Sequence, residues 1–373
     1  MSEIRIGQSA LLSAVKSASL AVDSKASIPI LANVRLTAAD GTLTVQGTDI
    51  TVTMTVKVPC EGAVDVTVPA KGFCDAVERA YTRKRGRKGK DAVDPTVAVS
   101  VEGTSVTVAG DSSAKLYGIS AADWPVCASG EGFPVFYQAT QLRAAVDYVL
   151  PAVSKDESRF HLNGACFAGS DLVATDGHRL HRVSGLPGVD VERIVGKRAL
   201  TALIKLLKGY NGDVSATFGE VCSFSAGNAV LTVKATDAQF PPYEQVIPGG
   251  HHKQIRVACG AFLAALEGAR PLTCDTRGVS LEAVADRIVV SADNPERGEF
   301  RQEIPGNMTV EPATDTPAHY VAGFNPRYLV DALDAQGDEI LTLQAEGEMD
   351  PIRVDTLGVG LTTRTAVIMP MRL

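Results

Sequence analysis

The sequence lacks the features of a membrane or secreted protein. No apolar run in its 373 residues approaches the roughly 20 residues that a transmembrane helix needs. The N-terminal segment MSEIRIGQSALL has neither the basic region nor the long apolar core of a signal peptide. We therefore expect a cytoplasmic protein that makes no membrane contact.

Disulfide and metal patterns are also missing. The seven cysteines are odd in number and widely spaced, and none forms a Cys-x-x-Cys pair, which is typical of scattered, reduced thiols. His178 and His181 lie near Asp176, but positions 178 and 181 of a strand would point to opposite faces. We expect neither a metal site nor a cofactor.

Catalytic motifs are absent too. The chain has no P-loop, G-x-S-x-G, H-E-x-x-H or dinucleotide fingerprint. Three aspartates, Asp49, Asp176 and Asp293, occupy equivalent places in separate repeats, so they indicate turns better than a carboxylate cluster. The sequence favours a protein without catalytic activity.

Charge gives a mixed indication. The formal net charge of −7 argues mildly against nucleic-acid binding by the whole surface, although a local basic face remains compatible with it. Residues 79–90, RAYTRKRGRKGK, carry seven basic residues and no acid. Such a run predicts a solvated loop that either contacts phosphates or contacts nothing.

What the sequence does contain is one pattern repeated three times. Each copy opens with apolar residues at helical spacing, continues with strand-like segments and closes on an aspartate. The copies run from Leu11 to Asp49, from Leu142 to Asp176 and from Phe262 to Asp293.

Each copy also has a second half. The segments VPAKGFCDAVERA, IVGKRALTALIKLL and FNPRYLVDALDAQ each predict a turn entering a one-faced helix, and strand patterns follow each of them. Proline-rich and aromatic linkers lie at 120–126 and 241–250. We expect three α+β domains, at 1–130, 131–250 and 251–373, each with two helices packed on antiparallel sheets.

These motifs resemble the bacterial DNA polymerase III beta subunit (beta sliding clamp) family over essentially the whole chain. The resemblance is carried by IPILANVRL with ADGTLTVQGTD, LNG with VATDGHRL, FPPYEQVIP, RGVSL with SADNPE, GFNPRYLVDAL and the terminal VIMPMRL. It implies three tandem copies of a DNA-clamp domain in a head-to-tail dimeric ring. Such a ring encircles duplex DNA without sequence preference.

The resemblance also implies partners: the DNA polymerase III alpha subunit, the clamp loader and other proteins with clamp-binding motifs. Family members bind these motifs in a pocket, and methionines suit a pocket that accepts many peptides. The family often has a basic residue just before the valine of FPxYxxVxP, where this chain has Gln245. The pocket positions carried over are Leu162, Thr175, Gly177, His178, Arg179, Leu180, Pro241, Val246, Val367, Met369, Pro370, Met371, Arg372 and Leu373.

Candidate DNA contacts come from three sources. The basic run contributes Arg83, Lys84 and Arg85, and the loop before LNG, which touches single-stranded DNA in the family, contributes Arg159, Phe160 and His161. That loop also contains two acids here, Asp156 and Glu157. Cations at or beside the helices add Lys25, Lys71, Lys197 and Arg198.

Subunit contacts are expected between the first domain of one chain and the third domain of the other, with Leu116 and Leu272 as apolar anchors. Two alternatives remain open. One is a specialised clamp copy, phage-encoded or drug-tolerant, with altered partners. The other is a scaffold that never encircles DNA.

Overall fold

The computed structural model describes residues 2–81, 94–130, 132–250, 252–273, 278–310, 319–333 and 340–372. Short helices lie among many antiparallel strands, which confirms the predicted α+β class. The helices in these ranges are α1 (Gln8–Ala18), α2 (Ala70–Arg79), α3 (Ala139–Val149), α4 (Lys197–Leu206), α5 (Cys259–Ala269) and α6 (Pro326–Ala332).

The strands pair only in antiparallel fashion in the described ranges. The first twelve are β1 (Ser2–Gly7), β2 (Asn33–Ala39), β3 (Thr42–Thr48), β4 (Val52–Pro59), β5 (Glu61–Gly62), β6 (Val64–Pro69), β7 (Thr96–Glu102), β8 (Ser105–Ala109), β9 (Ser113–Tyr117), β10 (Val135–Gln138), β11 (Gly164–Thr175) and β12 (Arg179–Gly196). The remaining strands are β13 (Asp213–Thr217), β14 (Val221–Ala226), β15 (Ala229–Lys234), β16 (Lys253–Ala258), β17 (Val279–Val284), β18 (Arg287–Asn294), β19 (Gly298–Val310), β20 (His319–Phe324), β21 (Ile340–Ala345), β22 (Ile352–Leu357) and β23 (Thr363–Ile368).

The chain forms two compact units. The first comprises Met1–Thr140 with Arg198–Ala235, and the second comprises Gln141–Lys197 with Thr236–Leu373. The predicted middle domain, 131–250, contributes to both units, because β15 pairs with β4 and β12 pairs with β23. The three domain boundaries therefore stay a prediction.

The first unit contains two sheets. One has the order β5-β1-β7-β8-β9, and the other has the order β10-β13-β14-β15-β4-β3-β2-β6. Helix α1 packs on β4 and against α2. Alternate residues of the strands are buried, as in β7 and β8, so each sheet turns one apolar face inward.

The second unit contains a ten-stranded sheet with the order β11-β12-β23-β22-β21-β16-β19-β18-β17-β20. Helix α5 packs against α6, β18 and β19 around a core that includes Phe262, Leu266, Leu281 and Phe324. Each such side chain contributes about 1.5–3 kcal/mol when it is fully buried. A smaller cluster that includes Leu180 and Val367 packs β12 against β23, where the candidate site forms.

The helices predicted in the second half of each repeat are confirmed as α2, α4 and α6. In α2 the buried residues Ala70, Phe73 and Val77 recur at helical spacing, so one face is apolar. The strand expected over IPILANVRLTAADG is shorter than predicted, because Pro29–Ala32 forms a 3₁₀ turn before β2. None of the helices in the described part of the chain is long and apolar enough to cross a membrane.

Candidate peptide-binding site

The candidate site lies in the second unit, where the turn between β11 and β12 meets the C-terminal strand. Strand β23 pairs with β12 so that Leu180 faces Val367 and Arg179 faces Ile368. The backbone N–H of Met369 then donates to the carbonyl of His178 at 2.9 Å. The segment after β23 is thereby held beside the turn.

The turn itself is fixed by two side chains. The Thr175 hydroxyl donates to the Arg179 carbonyl at 2.7 Å and accepts from the Gly177 N–H at 3.1 Å. One carboxylate oxygen of Asp176 accepts the N–H groups of His178 and Arg179 at 3.0 and 3.1 Å. Gly177 has a φ of 88°, a conformation that glycine adopts without strain. The predicted Asp-Gly turn is confirmed.

A cavity of about 320 Å³ opens beside this turn, and we call it the anchor pocket. Its walls are mostly apolar, as expected of a site that binds apolar side chains. The anchor pocket is lined by Leu162, Thr175, Gly177, Arg179, Leu180, Pro241, Pro242, Tyr243, Gln245, Val246, Val367 and Met369.

Nine of the fourteen carried-over pocket positions are in that lining. His178 instead lines a neighbouring cavity. Met371 is held elsewhere, because its N–H donates to Gly323 O at 2.9 Å and its side chain packs over Gly278. Pro370 and Arg372 do not line the anchor pocket, and Leu373 lies outside the described residues. Pro242 and Tyr243 were not predicted from the sequence, and Gln245 was noted only as a departure from the family pattern, although all three lie inside the FPPYEQVIP motif.

The linker over Pro241–Val246 forms one wall of the pocket. Tyr243 is buried, packs edge-on against Phe240 and donates from its hydroxyl to a carboxylate oxygen of Asp171 at 3.1 Å. Burial, followed by the nearby Asp171 charge, raises the pKa of Tyr243 well above its usual range. The phenol therefore stays protonated and keeps the linker attached to β11.

Arg179 separates the anchor pocket from the cavity that His178 lines. Its Nε lies 3.1 Å from Asp176, one terminal nitrogen lies 2.6 Å from Asp331, and the other donates to the Pro151 carbonyl. Its guanidinium also stacks over the Tyr328 ring at 4.4 Å. Because every nitrogen is engaged, the buried cation acts as part of the pocket wall.

The first unit repeats this turn nearly atom for atom. The Thr48 hydroxyl donates to Val52 O and accepts from Ile50 N, and Asp49 accepts the N–H groups of Thr51 and Val52. Lys234 N donates to Thr51 O at 2.9 Å, as Met369 N does to His178 O. The repeat predicted from sequence therefore extends to hydrogen bonding.

The side chains beside these two turns differ. The facing apolar pair Leu180 and Val367 is replaced in the first unit by Thr53 and Thr232. Gly177 is replaced by Ile50, a β-branched residue at φ 80° whose side chain is 61% exposed. Hydroxyls in place of the apolar walls remove the surface that an apolar ligand would bury.

The third repeat departs from the prediction. Asp293 is paired within the β18–β19 ladder, and the turn is made one residue later, where the Asn294 side chain accepts from Glu296 N at 3.0 Å. The expectation that Asp293 forms an equivalent turn is therefore wrong. An asparagine side chain satisfies the same backbone donors as an aspartate.

The predicted DNA contacts are in different surroundings. Lys25 and Lys71 are exposed, Arg159 pairs with Asp156 at 3.4 Å, and Phe160 is exposed with its ring edge-on to His161.

Arg198 pairs with Asp49 at 2.7 Å and donates to the carbonyls of Ala21 and Val22, so it braces the first unit. Lys197 begins α4 and donates its N–H to Asn163 O. Arg83, Lys84 and Arg85, with most of the basic run, lie outside the described residues.

The two predicted interface anchors are both half-buried. Leu116 is half-buried on β9, which ends its sheet, and its side chain packs over Gly72. Leu272 is half-buried against the core of the second unit, next to Pro271, whose carbonyl accepts from Arg297 at 3.4 Å. In the described ranges, no cluster of three or more His, Cys, Asp or Glu could hold a metal ion.

Comparison with known proteins gives consistent matches along the chain. Residues 2–128 match the model of the DNA polymerase III beta subunit N-terminal domain, and residues 244–372 match that of its C-terminal domain. The beta sliding clamp of Escherichia coli K12 is 29% identical over 382 residues, which cover 97% of this chain and 98% of that protein.

Solved structures agree with these matches. A DNA polymerase sliding clamp from Pseudomonas aeruginosa is similar with a TM-score of 0.86 at 27% identity, over the full length of both chains. A sliding clamp from Bartonella birtlesii bound to griselimycin has a TM-score of 0.87 at 25% identity, again over both full lengths. The similarity therefore extends over nearly the whole chain in sequence and over the whole chain in fold.

Proposed function

Because this chain belongs to the DNA polymerase III beta subunit family, we propose that it is a sliding clamp that encircles duplex DNA and tethers a polymerase through the anchor pocket. The observation that supports this most strongly is the match in fold over the full length of both chains to a DNA polymerase sliding clamp, together with a match in sequence over nearly the full length. The protein acts in the cytoplasm as a processivity factor and carries out no reaction of its own.

Partner binding through the anchor pocket is supported by its chemistry. The pocket joins an apolar floor from Leu180 and Val367 to an exposed rim that includes Val246 and Met369. A flexible thioether adapts to different side chains, and the surrounding strands supply a rigid support. The partners are short segments of the polymerase III alpha subunit, the clamp loader and other clamp-binding proteins.

DNA binding is supported by a groove of about 460 Å³ between α1 and α4 in the first unit. Three serines, Ser9, Ser13 and Ser17, line it at successive helical turns, together with Lys16 and Lys205. Hydroxyls and ammonium groups contact phosphates without reading base sequence. Arg198 pairs with Asp49 at 2.7 Å and also donates to two carbonyls, whereas Lys16 has only an exposed 3.5 Å contact with Glu78. Lys16 and Lys205 are therefore the better phosphate contacts.

Assembly into a head-to-tail homodimer is supported by two strand edges. Strand β9 pairs only with β8 among the described strands, and the first part of β19, Gly298–Pro305, pairs there only with β18. Unpaired edges are templates for strand pairing between chains. We place β9 of one subunit against β19 of the next, with Leu116 and Leu272 beside the junction.

Topological retention on DNA tests the clamp function. After loading by its clamp loader, the protein should stay on a nicked circular plasmid through gel filtration and leave when a restriction enzyme linearises the plasmid. A ring is released only over an end, whereas a scaffold that binds one side of DNA dissociates equally from both forms. Equal lifetimes on the two forms would contradict encirclement.

The pocket assignment is tested separately. Val246 is 54% exposed, so Val246→Asp should leave the fold intact and lower the affinity for a polymerase-derived peptide by at least about tenfold, since it places a charge against an apolar ligand. Val359→Asp, at another exposed position of the second unit, is the matched control. Fluorescence anisotropy measures both, and equal affinities would remove the pocket from the proposal.

A further inference from the structure

The anchor pocket adjoins two larger cavities of the second unit. A cavity of about 780 Å³, which we call the acidic cavity, shares Pro241, Pro242, Tyr243 and Gln245 with it. A cavity of about 580 Å³, which we call the basic cavity, shares Arg179 with it. An extended segment advances about 3.3 Å per residue, so a peptide anchored in the pocket can reach either cavity within a few residues.

Carboxylates dominate the acidic cavity. Asp190, Glu192 and Glu244 line it and are exposed, whereas Asp171 is tied to Tyr243 and lies 3.6 Å from Arg182. Among the residues that the structure describes, no lysine or arginine lines this cavity. Its field therefore attracts an ammonium or guanidinium group.

The basic cavity has the opposite balance. Lys155, Arg159, Arg270 and Arg327 line it and are all exposed. The three acids in its lining already form ion pairs: Asp156 pairs with Arg159, while Asp176 and Asp331 pair with Arg179. Lys155 and Arg327 form no ion pair with another described residue, so this cavity attracts a carboxylate.

The anchor pocket itself presents no unpaired charge in its described lining. Arg179 is its only lysine or arginine in the described lining, and two carboxylates and a carbonyl occupy all its nitrogens. Gln245, on the rim shared with the acidic cavity, is exposed and neutral. Any selection by charge must therefore act on the residues that flank an apolar anchor.

We propose, building on the peptide-binding function above, that this pocket selects partner segments by charge order. The preferred segment has an apolar anchor with a basic residue on the side of the acidic cavity and an acidic residue on the side of the basic cavity. The opposite order places like charges together on both sides. Complementary potentials of this kind distinguish partners more than they raise affinity.

Four labelled peptides, three with the same apolar anchor and one with that anchor scrambled, test the proposal against the full chain by fluorescence anisotropy. They have neutral flanks, an acid before and a base after the anchor, the reverse order, or neutral flanks with a scrambled anchor. One charged order should bind about fivefold more tightly than the neutral peptide and the other more weakly, from two partly exposed ion pairs. The difference should shrink as salt is added.

Paired variants locate the effect. Glu192→Gln with Glu244→Gln should roughly halve the logarithm of the preference between the charged orders and leave the neutral peptide unaffected, because neither residue lines the anchor pocket. Glu61→Gln with Glu102→Gln, two exposed acids of the first unit, is the matched control and should change nothing. Equal effects of the two pairs would overturn the assignment to the acidic cavity.

The outcomes separate the two proposals. If the neutral peptide binds and the two charged orders bind equally, selection by charge order is wrong and the peptide-binding function stands. If the neutral peptide binds no better than the scrambled one, the anchor pocket itself is misassigned, and the charge-order proposal fails with it.

Discussion

His181 is buried against the Tyr148 ring, with ring centroids 4.9 Å apart, and its Nδ1 lies 2.8 Å from the Tyr148 carbonyl. Since a carbonyl only accepts, Nδ1 carries the proton. Nε2 is buried without a hydrogen-bond partner in the described part of the chain. Burial first, and the nearby Arg179 charge to a smaller degree, lowers the pKa of His181 to about 4.

This histidine should make stability depend on pH. The unfolded chain binds the proton near pH 6.5 and the folded chain near pH 4. The contribution of neutral His181 to the free energy of unfolding is therefore complete above pH 6.5 and is lost as the pH falls from 6.5 to 4. The full loss is roughly 3 kcal/mol. His181→Asn keeps a donor for Tyr148 and cannot titrate, so urea unfolding of this variant should change less over that interval. Parallel pH profiles for both proteins would show that His181 does not titrate in this way.

Residue identities in the site were predictable where a motif carried them. Four residues of the turn, Thr175, Gly177, Arg179 and Leu180, line the pocket as expected, whereas His178 lines the neighbouring cavity. The long-range contacts of Arg179 and Met371 could not be predicted from the sequence. Their partners, Asp331 and Gly323, are distant in sequence, and no local pattern indicates such contacts.

At the scale of elements, the groove between α1 and α4 gives a prediction about DNA. Lys16 pairs with Glu78 at 3.5 Å, but both side chains are more than half exposed, so the pair costs little to break. Replacing Lys16 and Lys205 with alanine should weaken binding to a short duplex and reduce the slope of log affinity against log salt by about two.

The matched control for that experiment replaces Lys57 and Lys234, exposed cations on β4 and β15, with alanine. It removes the same total charge and should leave the salt slope near that of the unmodified protein. A slope that falls equally in both double variants would indicate a general charge effect. The groove would then have no particular role in phosphate contact.

Helices were easier to predict than their flanking turns. The apolar periodicity of α2, α4 and α6 is visible in the sequence, since one buried stripe is enough to specify it. The 3₁₀ turns at Pro29–Ala32 and Tyr243–Val246 were not predicted. Each of these turns is only four residues long, so it leaves no periodic pattern in the sequence. Its position depends on how neighbouring segments pack against it.

At the scale of the whole molecule, the proposed edge pairing predicts an effect on assembly. Lys115 is exposed on β9 and Glu299 is exposed on β19. Lys115→Glu should weaken the dimer by about three- to tenfold through like charges at the junction, and adding Glu299→Lys should restore it. Sedimentation velocity over a dilution series measures the dimer fraction of each protein.

Lys57→Glu is the control for that series, because it makes the same charge change on β4, within a sheet rather than on a free edge. It should leave the dimer fraction unchanged. If the Lys115→Glu protein dissociates no more readily than this control, β9 is not at the subunit interface.

The α+β class and the repeat were predictable because local periodicity and turn chemistry recur along the chain. The sheet order was not. In the second unit β12 pairs with β23, far apart in sequence, and nothing local specifies that partner. The family resemblance supplied what periodicity could not, namely the placement of the C-terminal segment beside the Asp176–Gly177 turn.

That pairing has a consequence for protein synthesis. The floor of the anchor pocket needs Leu180 from β12 and Val367 from β23 side by side, and the second of these is translated long after the first. A nascent chain thus has no anchor pocket until β23 has left the ribosome and entered the sheet. Partners that require the pocket would therefore ignore unfinished or truncated chains, so completion of the fold itself controls when recruitment begins.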